Sequence, residues 1–190
     1  MFLRHLASIA LLPFVVTVVV PWYLARRNAI PLRLTSNVAL IALGVVALAI
    51  GLTLFVASLV HFASRGRGTL APWDPPRKLV VSGPYRYVRN PMISGVLFIL
   101  IAEALLLGSK VHGGWALIFA LINIIYIPLM EEPMLATRFG DDYTEYCRHV
   151  PRLLPRLQPW KNRSAIGGRQ SAEESPTTVT ADRRPPTADR

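Results

Sequence analysis

Residues 37–62 read Asn37-Val-Ala-Leu-Ile-Ala-Leu-Gly-Val-Val-Ala-Leu-Ala-Ile-Gly-Leu-Thr-Leu-Phe-Val-Ala-Ser-Leu-Val-His-Phe62. No Asp, Glu, Lys or Arg interrupts the run, and at 1.5 Å per residue it is long enough for the about 30 Å of bilayer hydrocarbon. Gly, Thr and Ser are its main breaks, and small side chains of that kind suit close packing between membrane helices. Ser36 or Asn37 is available as its N-cap. The run predicts a membrane-spanning helix, with His61 at its interfacial end.

Three further apolar segments flank it. His5 to Leu24 is longer than a signal core, and no small-x-small site precedes Arg26-Arg27, so it is read as an uncleaved first span. Pro13 and Pro21 are expected there as kinks. Pro91 to Leu107 follows with Pro91 at the first helical position and Asn90 as cap. Lys110 to Gly114 is expected to form a tight turn before a last segment from Trp115 to Met130. The last two segments are short for spans, and four crossings (5–24, 37–62, 91–107, 115–130) are the simplest count. Beyond Glu132, Leu135, Phe139, Tyr143 and Tyr146 suggest an amphipathic helix along the interface, interrupted near Gly140. The expected fold is an all-α polytopic membrane protein, with a membrane-embedded domain over 1–160 and a disordered tail over 161–190.

Composition agrees. Of 190 residues 52% are hydrophobic, gathered in blocks, and the formal charge is +10. Arg4, six Lys/Arg between residues 65 and 90, and ten more after residue 130 fall on one side of a four-span topology. The other side holds Arg26, Arg27, Arg33 and Lys110. The richer side is expected to be cytoplasmic, with both termini there. No basic stripe suggests nucleic acid, nothing calls for a protein partner, and Cys147 stands alone, which excludes an intrachain disulfide and a Cys-based metal site. No metal is expected.

The chemistry is expected in Ser82-Gly-Pro-Tyr-Arg-Tyr-Val-Arg-Asn-Pro-Met-Ile-Ser-Gly95, between two apolar segments. A helix N-terminus at Pro91, preceded by Arg86 and Arg89, favours a carboxylate or phosphate. Glu131 and Glu132 end the fourth segment on the same side. Adjacent helical positions diverge by about 100°, so the two do not form one acid/base pair. Acids at a membrane boundary require cationic partners. A ligand bearing a carboxylate beside an ammonium or sulfonium satisfies both clusters. S-adenosylmethionine has that pattern, with Tyr85 or Tyr87 to stack on it. The alternative is that the arginines mark the cytoplasmic side and the glutamates merely neutralise them.

Gly83-Pro-Tyr-Arg-Tyr-Val-Arg-Asn-Pro-Met-Ile-Ser-Gly95 resembles the G-x-Y-x-x-x-R-[HN]-P-x-x-x-G signature of integral-membrane methyltransferases. These are the isoprenylcysteine carboxyl methyltransferases and the phospholipid (phosphatidylethanolamine) N-methyltransferases. Glu131-Glu132 with Phe139-Gly140, Tyr143, Tyr146 and Val150-Pro151 is similar to the trailing motif of the same group. The resemblance covers about residues 65–156. It implies that Tyr85, Arg89, Asn90, Glu131 and Glu132 line an S-adenosylmethionine site, closed by the backbone at Lys78, Leu79 and Val80. It also implies a lipid or lipid-like substrate, a prenylcysteine-type carboxylate or a phospholipid amine, entering sideways between the helices.

The chain departs from the pattern in three places. Asn90 stands for the common His and cannot titrate near neutral pH. Ile93 stands for a frequent Tyr. Ile127 stands where the isoprenylcysteine branch tends to carry an Arg for the substrate carboxylate. A carboxylate acceptor is already ionised at neutral pH, whereas an amine must first lose a proton. Glu131, Glu132 and a water held by Asn90 are the candidates to take it. Glu103, in the third span, is either functional or a protonated acid bonded to Asn123 or a backbone carbonyl. Two other classes compete: a sterol-type membrane reductase using NADPH, and a non-enzymatic membrane scaffold.

Overall fold

The computed structural model describes residues 11–65, 79 and 81–160, the side chains of 62–65 excepted. The expected tail, most of the 65–81 connection, and Lys78 and Val80 lie outside the described residues. Among those described the chain is all-helical, without strands.

Residues 11–14 are helical, a π-turn follows at Val15–Val19, and the helix continues as α1, Val20–Arg27. Proline dictates the widened turn. Val20 N–H bonds Val15 O, one residue further back than in an α-helix. The next donor is Pro21, which has no N–H, so Val16 O is left over. The Trp115 indole takes it at 3.1 Å. The kink expected at Pro21 is therefore a π-turn whose spare carbonyl ties the first helix to a later one.

Helix α2, Val38–Arg65, is capped by Asn37, whose Oδ1 accepts from Ala39 N (3.0 Å) and Leu40 N (3.3 Å). Gly44, Ala47, Gly51 and Ser58 are buried, whereas Val38, Val46, Val56 and Val60 are exposed. Small residues inside and branched aliphatic ones outside suit a helix surrounded by lipid. Helix α3, Pro91–Leu107, packs along that small-residue face. At the crossing the two backbones touch. A Cβ on Gly51 would stand 2.9 Å from Gly95 O, and one on Gly95 would stand 2.9 Å from Gly51 O. The small residues of α2 are thus used within the chain.

Gly108, left-handed at φ 59°, closes α3 in a single residue, and Ser109 caps the next helix by accepting from His112 N. Lys110–Gly114, expected as a turn, therefore opens α4, Lys110–Tyr126. Nor does the helix stop at Met130. A second π-turn, Ile127–Glu131, leads into α5, Glu132–His149, broken only at Gly140 (φ 56°, ψ −131°). Pro133 stands where Pro21 stood, one residue beyond the closing bond, and deprives Pro128 O of a donor in the same way.

Among the described residues two helical stretches are long and apolar enough to cross a membrane, Val38–His61 and Lys110–His149; Pro91–Leu107 is apolar but shorter. The far ends of α2 and α3 are level, since Thr35 N bonds Leu106 O at 2.8 Å. Their near ends are not. Pro91 lies four residues from the Gly51–Gly95 crossing and Arg65 fourteen, so α2 outruns α3 by about 15 Å at 1.5 Å per residue. Residues 81–90 fill that step.

Gly51→Leu is expected to cost about 1–3 kcal/mol or more, because its side chain would meet backbone rather than a movable rotamer. Gly114→Ala, with nothing within 4 Å of the added Cβ, is expected to be neutral or stabilising by up to about 1 kcal/mol. Thermal unfolding in detergent checks both; equal effects would contradict the crossing.

Candidate active site

The step beside α2 is filled by a tight turn. Gly83 takes φ 57°, where a Cβ would also stand 3.0 Å from His61 Nδ1. A 3-10 turn runs through Gly83–Arg86, and Tyr87 N bonds Pro84 O at 3.0 Å. His61 lies 3.0 Å from Ser82 Oγ by Nε2, and its ring centroid is 5.7 Å from that of Tyr85. A second segment clamps the turn from the other side. Arg89 N bonds Pro151 O, Asn90 N bonds Arg152 O, Arg156 N bonds Tyr87 O and Trp160 N bonds Arg86 O, at 2.9–3.3 Å. Residues 150–160 are thus a strap across the motif. Tyr146 Oη donates to Tyr85 O at 2.7 Å. Leu79 and Val81 pack on the cluster of Tyr143, Tyr146, Val150 and Trp160.

Charges converge on Glu132. Arg89 Nη1 donates to its Oε1 at 2.7 Å, Arg152 Nε to the same oxygen at 2.7 Å, and Arg152 Nη2 to Oε2 at 2.8 Å. Arg89 Nη1 also reaches Cys147 Sγ at 2.9 Å. The side chains of Arg89, Glu132 and Arg152 are 12%, 18% and 31% exposed. The hydrogen bonds from Arg152, aided by the charges of Arg89 and Arg152, hold the Glu132 carboxyl below the usual carboxylate range despite its burial. Arg89 Nε is buried with no hydrogen-bond partner.

Glu131 fares differently. It has no ion pair among the described residues. Burial first, and the neighbouring Glu132 charge second, push its carboxyl above the ordinary value. It also faces Tyr85: burial raises that phenol and the Glu131 charge raises it further. Tyr87 is separated from this group, lining an apolar groove on α2 with Pro155.

Asn90 occupies the N-cap position of α3 but makes no side-chain cap bond, contrary to expectation. Its carbonyl accepts the first intrahelical bond, from Ser94 N, and also Ser94 Oγ, both at 2.9 Å. Glu103 Oε2 is buried without a partner, while Asn123 donates its amide to Phe119 O on its own helix. His112 is buried against Ser109 at the hairpin turn. Arg152, Cys147 and His61 went unassigned from sequence. Arg152 directly follows the trailing Val150-Pro151, the one sequence signal near it.

Residues 39–142 match the phospholipid methyltransferase family. The chain belongs to that family. It is also 37% identical over 76 residues to methanethiol S-methyltransferase 2 of Bradyrhizobium diazoefficiens. That match covers 38% of this chain and 27% of the relative, so the chain spans about a quarter of that protein's length.

Arg152→Ala is expected to lower stability by about 1.5–3 kcal/mol, the range for hydrogen bonds to a charged group, and by much less in a Glu132→Gln background. Because Glu132 is depressed, its contribution is present above the ordinary carboxylate pKa and lost as pH falls through its lowered value. Denaturant unfolding of wild type, the two single variants and the double variant at neutral and acid pH checks this. An Arg152→Ala cost undiminished by Glu132→Gln would show that another contact carries it.

Proposed function

We propose that this chain transfers a methyl group from S-adenosylmethionine to a lipid or lipid-like acceptor at the cytoplasmic face of the membrane. The unequal fate of two adjacent carboxylates carries the reading. Glu132 is neutralised by Arg89 and Arg152, whereas Glu131 is half-buried, raised and without a cation among the described residues. An ionised carboxylate so placed is relieved by a cationic ligand. Arg89 Nε is a buried donor without an acceptor, and such a group favours a ligand that supplies one. A molecule with a carboxylate for Arg89 and an ammonium or sulfonium for Glu131 meets both demands, and the Tyr85 ring can face the sulfonium or the adenine.

When bound, S-adenosylmethionine supplies an electrophilic methyl carbon. The residues of the chain do the rest by positioning and exclusion of water. Glu132 anchors the two arginines. Glu131 faces the cation and, for an amine acceptor, takes the proton the nucleophile must lose, for which a raised carboxyl is suited. Asn90, whose amide is not used as a cap, orients the acceptor. The backbone at Lys78, Leu79 and Val80 closes over the donor. Ile127, fully buried four residues before Glu131, offers nothing to a carboxylate acceptor, which favours an amine or a sulfur nucleophile. A thiol is what the relative's name gives it. The reading includes four crossings, α5 at the interface, and both termini cytoplasmic, as the charge bias supports.

Calorimetry on detergent-purified protein tests it. Wild type is expected to bind S-adenosylmethionine, and Glu131→Gln and Arg89→Ala to weaken binding about tenfold or more, a loss of about 1.4 kcal/mol. Wild-type affinity should fall as pH drops through the raised Glu131 value, since protonation removes the charge that meets the cation. In Glu131→Gln this dependence should vanish. A folded wild type that does not bind would sink the proposal.

A further inference from the structure

The strap and the spanning helix together build a second feature outside the arginine–glutamate group. Ala49, Ile50, Thr53 and Leu54 on α2, with Tyr87 and Pro155, line an apolar groove of about 340 Å³. It opens on the face of α2 where Leu52 and Val56 are also exposed, the face that meets the bilayer if Val38–His61 spans it. Two cations adjoin these lining residues in the chain, Arg86 next to Tyr87 and Arg156 next to Pro155. Arg156 N bonds Tyr87 O, and Trp160 N bonds Arg86 O. Arg86 spends Nε on Trp160 O and Arg156 spends Nη1 on His149 O, and neither has an ion pair among the described residues. Each guanidinium keeps further N–H donors for a ligand.

We propose that this groove and these arginines form a binding site for one anionic phospholipid of the bilayer. One acyl chain lies between α2 and the Tyr87–Pro155 edge, and the phosphate is held by Arg86 and Arg156. The apolar wall belongs to a candidate span, so the molecule available to fill it is an acyl chain. Guanidinium groups match phosphate geometry, and anionic lipid is enriched on the cytoplasmic side, where the charge bias puts these arginines. The site does not depend on the identity of the methyl donor.

Native mass spectrometry of the full chain, titrated with phosphatidylglycerol or phosphatidylcholine in mild detergent, tests the site. Wild type is expected to retain one phosphatidylglycerol at about tenfold lower lipid concentration than phosphatidylcholine. Arg86→Gln with Arg156→Gln should abolish that preference. Ala49→Trp, which fills the groove from an exposed position, should abolish retention of both lipids. Thermal unfolding verifies that each variant is folded, and Ala49→Trp decides alone if the double variant is not. Equal retention of the two lipids by wild type, unchanged retention in folded variants, or a dimer that excludes lipid would each overturn the site.

Discussion

The contact on which the rest of the molecule depends is the meeting of Gly51 and Gly95, each with its missing side chain replaced by the other's carbonyl. Backbones approach this closely only where neither residue carries a Cβ. The contact fixes how far α3 can slide along α2, and so fixes the step left above Pro91. Everything chemically distinctive about the chain lies in or against that step: the Gly83 turn on His61, the tyrosines behind it, and the strap that holds it from outside. The last glycine of the methyltransferase signature is Gly95 itself. One position thus serves the motif and the helix crossing.

Electrostatics at this boundary follow from scarcity of acid. Glu132 receives two arginines, and a carboxylate bonded on both oxygens is a poor proton acceptor and a good anchor. Glu131 lies next to it in sequence but in a different environment, beside a phenol and, among the described residues, with no guanidinium of its own. The two environments push the neighbouring acids in opposite directions, Glu131 up and Glu132 down.

Sequence made some of this legible and not the rest, for physical reasons. Apolar blocks and flanking arginines announce themselves without any knowledge of partners, so the helices expected over 37–62 and 91–107, found at Val38–Arg65 and Pro91–Leu107, could be read directly. The small residues of α2 were readable as a packing face, but which helix they receive depends on register, which no local pattern encodes. Pro21 and Pro133 marked irregularity. That both produce a widened turn follows from the particular bond each proline fails to make. The strap was illegible because residues 150–160 have no period, and their hydrogen bonds join positions some sixty to seventy residues apart. Arg152 belongs to that strap and lies outside the family match over 39–142.

That long-range closure has a bearing on biogenesis. The turns within each helix and the hairpin at Gly108 are made of contacts between near neighbours in the chain, and such contacts form early. The bonds from Pro151, Arg152, Arg156 and Trp160 back to residues 86–90 are made only after the last of these has left the ribosome. Until then Glu132 can have Arg89 but not Arg152, and the turn carrying Tyr85 is held from one side alone. Formation of the helices and closure of the group around Glu132 are therefore separate events in time, and the second waits on a short segment that contributes nothing to the first.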